Sequence, residues 1–226
     1  MIEMLVPGGS LTVLCLGAHP DDIEIGCGGT LLALSAVREV DAQYVVMTGD
    51  PARQVEAKQA AESFLPGAMV EFGGFPDGRL PACWNEAKDF LESVARRTPR
   101  PDVVFSPRRD DAHQDHHAVA ALVPTVWRNA LVLEYEIPKW DGDLGGVNLY
   151  VPLDEAEVER KLALLDASFP SQVTRDWWDR ETFTALLRLR GVESRSRYAE
   201  GFVARKVLLG LGADRRPGPL RGGEGH

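Results

Sequence analysis

The sequence predicts an α/β fold, a Rossmann-like and mostly parallel sheet flanked by helices within a single domain. Short β-rich apolar segments alternate with helical segments through at least four cycles, which is typical of parallel strands joined by crossover helices. The chain has 226 residues, the size of one ordinary domain. Because 44% of those residues are hydrophobic, the chain can bury a substantial core.

Six strands are predicted from apolar runs of strand length that are followed by turn-forming or polar residues. The first begins at Leu11 and ends at the small residues Gly17 and Ala18. The others are predicted at residues 44–48, 69–72, 103–105, 131–135 and 202–209. Residues 73–81 contain three glycines and two prolines, and we therefore predict a loop there.

Helices are predicted between these strands, where apolar residues recur at helical spacing. Gly26, Gly28 and Gly29 are predicted to form a tight turn before the first helix. Asp154 and Glu157 resemble a capping box that opens the fifth. The helices are predicted at 31–37, 52–65, around 87–94, at 118–127, from 154 onward, and at 177–190 with its end at residue 191.

The end of the chain departs from the regular alternation. Its last third is predicted to pack as an added lobe or lid. From residue 210 the composition is dominated by Gly, Pro and Arg, with almost nothing to bury. We therefore predict one domain over residues 1–209 and a disordered tail over 210–226.

Composition and charge exclude several classes of function. Lys and Arg number 25 against 34 Asp and Glu, and the net charge of −9 argues against nucleic-acid binding, which needs clustered cations. Three cysteines without a pairing pattern indicate a reducing compartment. Residues 1–10 lack a signal-peptide pattern, and no apolar run approaches the roughly 20 residues that span a bilayer. We expect a cytoplasmic protein without membrane insertion, and leave open whether it forms a homo-oligomer.

Two polar clusters follow predicted strands. His19, Asp21 and Asp22 come after the first strand. A second cluster comes after the fourth strand and contains Asp110, Asp111, His113, Asp115, His116 and His117. Because parallel strands end at the same edge of a sheet, we expect the two clusters to lie close together.

The residue types in these clusters are those of a catalytic zinc site, in which two imidazoles and a carboxylate leave one coordination position open. His19 and Asp22 are three positions apart across a turn fixed by proline, so both can face one ion. Asp21, between them, can then hold the metal-bound water. His113 and His116 are also three apart, so that one can bind the ion while the other faces the substrate.

Each motif taken alone has a simpler interpretation. Asp21 and Asp22 suit turn and N-cap chemistry, and the His113-x-x-His116 spacing occurs in solvated loops. The strand and glycine-rich segment also suggest a second hypothesis, a nucleotide-binding α/β module without catalysis, although 26–29 lacks the G-x-G-x-x-G pattern. It is the combination of both clusters at strand ends that favours a metal site.

The run 18–22 (Ala-His-Pro-Asp-Asp), the glycines that follow it and the later His113-x-Asp115-His116 resemble the PIG-L/LmbE-like family of zinc-dependent N-deacetylases. Members of that family deacetylate glucosaminyl-phosphatidylinositol, precursors of mycothiol and bacillithiol, and glycopeptide and aminoglycoside antibiotics. Further similarity lies in the Arg-x-x-Glu pattern at 53–56, the Phe-Pro-Asp-Gly loop at 75–78 and the segment 198–202. The resemblance covers about residues 11–209.

The resemblance implies a role for each matching residue. Zn²⁺, or another divalent ion, would be bound by His19, Asp22 and His116. Asp21 would be the general base, while His113, oriented by Asp115, would polarise the carbonyl or protonate the leaving amine. Sugar hydroxyls would be held by Arg53 and Asp77, and the region 136–149, which matches least clearly, would set substrate choice.

The function implied is that of a metal-dependent hydrolase. It would remove an N-acetyl or other N-acyl group from a small-molecule amino sugar or glycoside and release a free amine. A third hypothesis keeps the hydrolase but assigns it a larger amide, as in the mycothiol-conjugate amidases.

Overall fold

The computed structural model describes residue 1 and residues 8–209, and within these residues seven strands form one sheet. The strands are β1 (Leu11–Gly17), β2 (Val40–Thr48), β3 (Met69–Phe75), β4 (Val103–Pro107), β5 (Leu131–Tyr135), β6 (Leu149–Leu153) and β7 (Tyr198–Val203). They lie in the order β3-β2-β1-β4-β5-β7-β6. Strands β1 to β5 pair in parallel, whereas β7 is antiparallel to both β5 and β6. The predicted fold class is confirmed.

Six α-helices connect and flank the strands in the described part of the chain. They are α1 (Asp22–Val37), α2 (Pro51–Phe64), α3 (Trp84–Arg97), α4 (Gln114–Val126), α5 (Glu155–Ser168) and α6 (Arg180–Ser194), and a short 3-10 helix covers Leu80–Cys83. The predicted capping box is confirmed, because Asp154 and Glu157 each accept the other's backbone N–H at 2.7 Å. None of the helices described combines the length and apolar character that crossing a bilayer requires.

The sheet is covered by hydrophobic cores on both faces, as its alternating side chains require. Val13 and Cys15 of β1 belong to the core beneath α1, α2 and α5. Leu14 and Leu16 belong to the core beneath α3 and α4. Burying each large apolar side chain contributes on the order of 1.5–3 kcal/mol, so the two layers stabilise β1 in the interior of the sheet, between β2 and β4.

The predicted glycine turn is wrong, because α1 begins at Asp22 and the three glycines lie inside it. The reason is close packing against neighbouring elements on different sides of the helix. A Cβ atom on Gly26 would lie 2.2 Å from the ring of Tyr135, and one on Gly28 would lie 2.6 Å from the ring of Phe64. The glycines therefore let α1 pack closely against its neighbours, which also explains the feature that suggested a nucleotide-binding loop.

We expect Gly26→Ala to lower the free energy of unfolding by about 1–3 kcal/mol through overpacking against Tyr135. Helix propensity alone would change stability in the opposite direction by about 1 kcal/mol. Gly146→Ala is the matched control, since the described residues leave its Cβ position open to at least 4 Å. Urea unfolding of both variants makes the comparison, and a Gly26→Ala variant that is more stable than wild type by about 1 kcal/mol, as helix propensity alone would give, would contradict the packing argument.

The last third of the chain extends the sheet, so the prediction of an added lobe or lid is wrong. Strand β6 was not predicted, because Pro152 interrupts its pattern; at the edge of a sheet a proline is tolerated. The final strand lies at 198–203, not 202–209. Helix α6 continues past Gly191, which packs against the backbone of Arg197. The predicted tail at 210–226 lies outside the described residues.

Candidate metal centre

The two polar clusters meet at the carboxyl edge of the sheet, between neighbouring strands β1 and β4. From this pair the strand order runs outward in opposite directions, to β2 and β3 on one side and to β5 on the other. Such a topological switch point leaves a crevice where α/β proteins bind ligands. Parallel pairing of β1 with β4 thus brings together residues 97 positions apart in the chain.

Donor atoms of His19, Asp22 and His116 converge, and we call these three residues the candidate metal centre. Nδ1 of His19 lies 3.1 Å from Nε2 of His116, which lies 3.3 Å from Oδ1 of Asp22. Nδ1 of His19 is also 3.6 Å from the other oxygen of Asp22. Ligands about 2.0–2.2 Å from a tetrahedral zinc ion are separated by about 3.3 Å, so the spacings of His116 from His19 and from Asp22 are those of ligands that share one ion.

Side chains around the candidate metal centre indicate which nitrogen of each imidazole carries the proton. Nδ1 of His116 lies 3.0 Å from Oδ2 of Asp111, so the neutral form of this ring carries its proton on Nδ1 and its lone pair on Nε2. Nε2 of His19 lies 3.1 Å from Asp77 and 3.4 Å from Asp115, in contacts between charged groups that are not aligned as hydrogen bonds. The two carboxylates favour a proton on Nε2, and the neutral ring then has its lone pair on Nδ1. In their neutral forms the two imidazoles therefore direct lone pairs toward each other and toward a carboxylate oxygen, an arrangement that a proton or a metal ion stabilises.

The electrostatics of the candidate metal centre favour positive charge. Burial alone would lower the pKa of His19, but the facing carboxylates, that of Asp22 first, raise it to about 12. Burial is likewise outweighed at His116, whose pKa rises to about 9 through Asp22 and Asp111. Conversely, the two imidazoles hold the pKa of Asp22 well below its usual value despite burial. A metal ion binding here competes with these protons, so its affinity falls as pH falls.

Other groupings of donors share His19. Donor atoms of His19, His113 and His116 lie within 4.8 Å of one another, and so do those of His19, Asp77 and Asp115. The structure therefore surrounds the imidazole of His19 with further potential ligands besides those of the candidate metal centre.

Asp21 lies beside the candidate metal centre in an unusual backbone conformation. It precedes α1 with φ of 119°, a region that non-glycine residues rarely adopt. Its carboxylate is buried, and Oδ2 accepts a hydrogen bond from Arg53 at 2.8 Å. Burial raises the pKa of Asp21 to about 7, against the lowering effect of Arg53. A carboxylate with a pKa near neutrality is suited to proton transfer.

The two residues expected to hold sugar hydroxyls differ in exposure. The guanidinium of Arg53 donates to Asp21 and to the carbonyl oxygen of Pro20, and only 19% of the side chain is exposed. The side chain of Asp77 is 67% exposed and reaches Nε2 of His19 with one oxygen. Arg53 is thus turned toward Asp21 in this structure, whereas Asp77 lies at the open side of the site.

His113 lies next to both imidazoles of the candidate metal centre, with ring centroids 4.8 Å from His19 and 4.6 Å from His116. It caps α4, and its Nδ1 accepts the backbone N–H of Asp115 at 3.2 Å. Burial and the neighbouring imidazoles lower the pKa of His113. His117 is exposed on α4, away from this group.

The carboxylate of Asp115 faces backbone N–H groups and His19, and the orienting role expected of it toward His113 stays a prediction. It accepts the backbone N–H groups of Gly78 at 2.7 Å and Leu80 at 3.0 Å, and it faces His19. Asp115 therefore fixes the loop that carries Asp77, and its contact with His113 is made by the backbone.

Sequence reasoning assigned no role to Asp111 and did not identify Lys139. Asp111 holds the ring of His116, and Lys139 lies 3.0 Å from the same carboxylate. The spacing of five residues between Asp111 and His116 was a usable signal. No such signal in the sequence identifies Lys139, because its contact with Asp111 depends on β4 and β5 lying side by side.

Comparison with known proteins identifies relatives of this chain. The model of the family PIG-L, described as GlcNAc-PI de-N-acetylase, matches residues 14–127, which include both polar clusters. A protein of Escherichia coli (strain K12) named uncharacterized deacetylase YaiS is 31% identical over 137 residues, 56% of this chain and 74% of the relative.

Solved structures show the same architecture. The conserved protein TT1542 from Thermus thermophilus has a TM-score of 0.71 and 26% identity, covering 91% of this chain and all of the other. The N,N'-diacetylchitobiose deacetylase from Pyrococcus horikoshii, solved with an inhibitor, has a TM-score of 0.67 and 24% identity, covering 85% of this chain and 82% of its own.

Proposed function

Because the chain belongs to the PIG-L family of GlcNAc-PI de-N-acetylases, we propose that it is a metal-dependent hydrolase acting on an N-acylated amino sugar or glycoside. It would cleave the amide of an N-acetyl group, or of another N-acyl group, and release a carboxylate and a free amine. The observation that supports this most directly is the convergence of His19, Asp22 and His116 beside the buried carboxylate of Asp21.

Two imidazoles and one carboxylate suit Zn²⁺, although other divalent ions accept the same ligands. We propose that His19, Asp22 and His116 hold this ion. When bound, it would polarise the amide carbonyl and lower the pKa of a water molecule to about 7.

The remaining residues would move protons. Asp21 accepts the proton of the attacking water, a role that its pKa of about 7 allows near neutral pH. His113 accepts the N–H of Asp115 at Nδ1, so its own proton lies on Nε2, free to donate to the developing oxyanion of the substrate. The departing nitrogen then receives the proton that Asp21 took from water, or one from His113 in its imidazolium form, and the amine leaves.

A panel of N-acetylated sugars and glycosides, assayed for acetate release with and without chelator, tests this proposal. We expect release from at least one amino sugar and its loss with chelator. Matched substrates with bulkier acyl groups separate a deacetylase from an amidase of larger amides. Tight nucleotide binding by a protein that takes up no metal would instead favour the non-catalytic module.

Replacing Arg53 by methionine is expected to move the acidic limb of the kcat/KM profile toward higher pH. Arg53 lowers the pKa of Asp21, so its removal raises that pKa. The base is then unprotonated only at higher pH, and we expect a shift of about one pH unit or more, since a hydrogen-bonded opposite charge changes a pKa by roughly 1–3 units. Arg96→Met, in an exposed side chain on α3, is the control. An unchanged limb in Arg53→Met would contradict the assignment of Asp21 as base.

A further inference from the structure

We propose that Lys139 is a positioning residue that fixes the outer carboxylate of the candidate metal centre, an inference that rests on the proposed function. Its Nζ lies 3.0 Å from Oδ2 of Asp111, the same oxygen that lies 3.0 Å from Nδ1 of His116. The side chains of Lys139 and Asp111 are 9% and 3% exposed. The ammonium therefore acts on His116 through one shared oxygen atom.

Asp111 receives three contacts that together fix its orientation. Oδ1 accepts the backbone N–H of His113 at 2.8 Å, while Oδ2 faces both the His116 ring and Lys139. With Asp111 held in this way, the proton of His116 stays on Nδ1. Its Nε2 lone pair then faces Asp22.

The ammonium group of Lys139 also contacts a second carboxylate, that of Asp143, and its charge keeps the two carboxylates close together. Nζ of Lys139 also lies 2.6 Å from Oδ2 of Asp143, and that oxygen accepts the backbone N–H of Ala112 at 2.8 Å. Lys139 is thus placed between two carboxylates that are largely removed from solvent. Without its positive charge they would repel each other, and a buried carboxylate that loses its partner is strongly destabilised. We expect Asp111 to turn away from His116 in that case.

The same contacts join the segment 136–149 to the metal ligands. Lys139 and Asp143 belong to this segment, and both contact residues immediately before α4. A change in the segment that displaces Lys139 would therefore alter metal binding.

Metal titration of the full chain tests the role of Lys139. The protein is stripped with a chelator and titrated with Co²⁺ against a chromophoric competitor, with its visible absorption recorded. We expect Lys139→Met to bind Co²⁺ at least tenfold more weakly, because loss of an outer partner of a metal ligand typically costs about 10–100-fold in affinity. Lys139→Arg, which keeps a cation between the carboxylates, is expected to bind within about threefold of wild type and to restore the wild-type spectrum.

Lys88→Met is the matched control, because Lys88 forms a surface ion pair with Glu92 within α3. Thermal unfolding of each metal-free variant checks that it is folded. A folded Lys139→Met that binds Co²⁺ like wild type overturns the proposal. Should that variant not fold, Lys139→Gln removes the charge and keeps a polar side chain between the two carboxylates, and wild-type affinity in this variant is equally decisive against the proposal. Failure of the wild-type chain itself to bind Co²⁺ overturns the proposed metal centre, and this inference with it.

Discussion

If the proposed ligand set is correct, Asp22→Ala is expected to bind no metal ion and to show no measurable hydrolysis. Asp22 supplies the only carboxylate of the proposed ligand set, and its Oδ1 lies 3.3 Å from Nε2 of His116. Its other oxygen accepts the backbone N–H groups of Ala18 and His19, each at 2.8 Å, and so fixes the turn that places His19. Removing this side chain therefore deletes one ligand and releases another.

The expected loss of metal affinity is at least about a hundredfold, since removing an outer contact alone costs roughly 10–100-fold. The measurement is metal content by elemental analysis after dialysis, together with acetate release. Asp89→Ala removes an exposed carboxylate from α3 and serves as the control. Stoichiometric metal and normal turnover in Asp22→Ala would show that the ion is bound elsewhere.

Asp21→Asn is expected to keep the metal and lose turnover. Asparagine has the same shape, tolerates the positive φ of this position, and can still accept a hydrogen bond from Arg53. It cannot accept a proton from water at neutral pH, so we expect kcat to fall by about 10²–10⁴-fold, the usual contribution of a positioned base. Steady-state kinetics and metal content are measured on the same preparation.

Asp89→Asn is the control for this second variant, because it makes the same chemical change on an exposed helix surface. Turnover by Asp21→Asn within about tenfold of wild type would remove Asp21 from the role of base. Loss of metal in Asp21→Asn would instead mean that the carboxylate helps to hold the ion.

The fold could be predicted because its strongest signals are local. Strand β5 lies at the residues predicted for it, and the capping box at Asp154 opens α5 as expected. The glycines of α1 were predicted to form a turn because the constraint that requires them is not local. They make room for the rings of Tyr135 and Phe64, and the sequence does not show that these rings are neighbours of α1.

The position of the site could be predicted from topology alone, whereas the partners of individual side chains could not. His19 and His116 follow parallel strands, and the structure brings their rings together. Asp115 accepts backbone N–H groups of the 76–80 loop, and Arg53 donates to Asp21. Both contacts depend on how the loops fold over the edge of the sheet, which the sequence does not show.

The order β5-β7-β6 has a consequence for synthesis on the ribosome. Strand β6 precedes β7 in the chain but is attached to the sheet through β7. While residues 149–197 emerge, the edge of β5 therefore has no strand to pair with, and exposed edges of this kind promote association between nascent chains. We expect the five parallel strands to assemble early and the outer pair to join last, in a single step once residues 198–203 leave the exit tunnel.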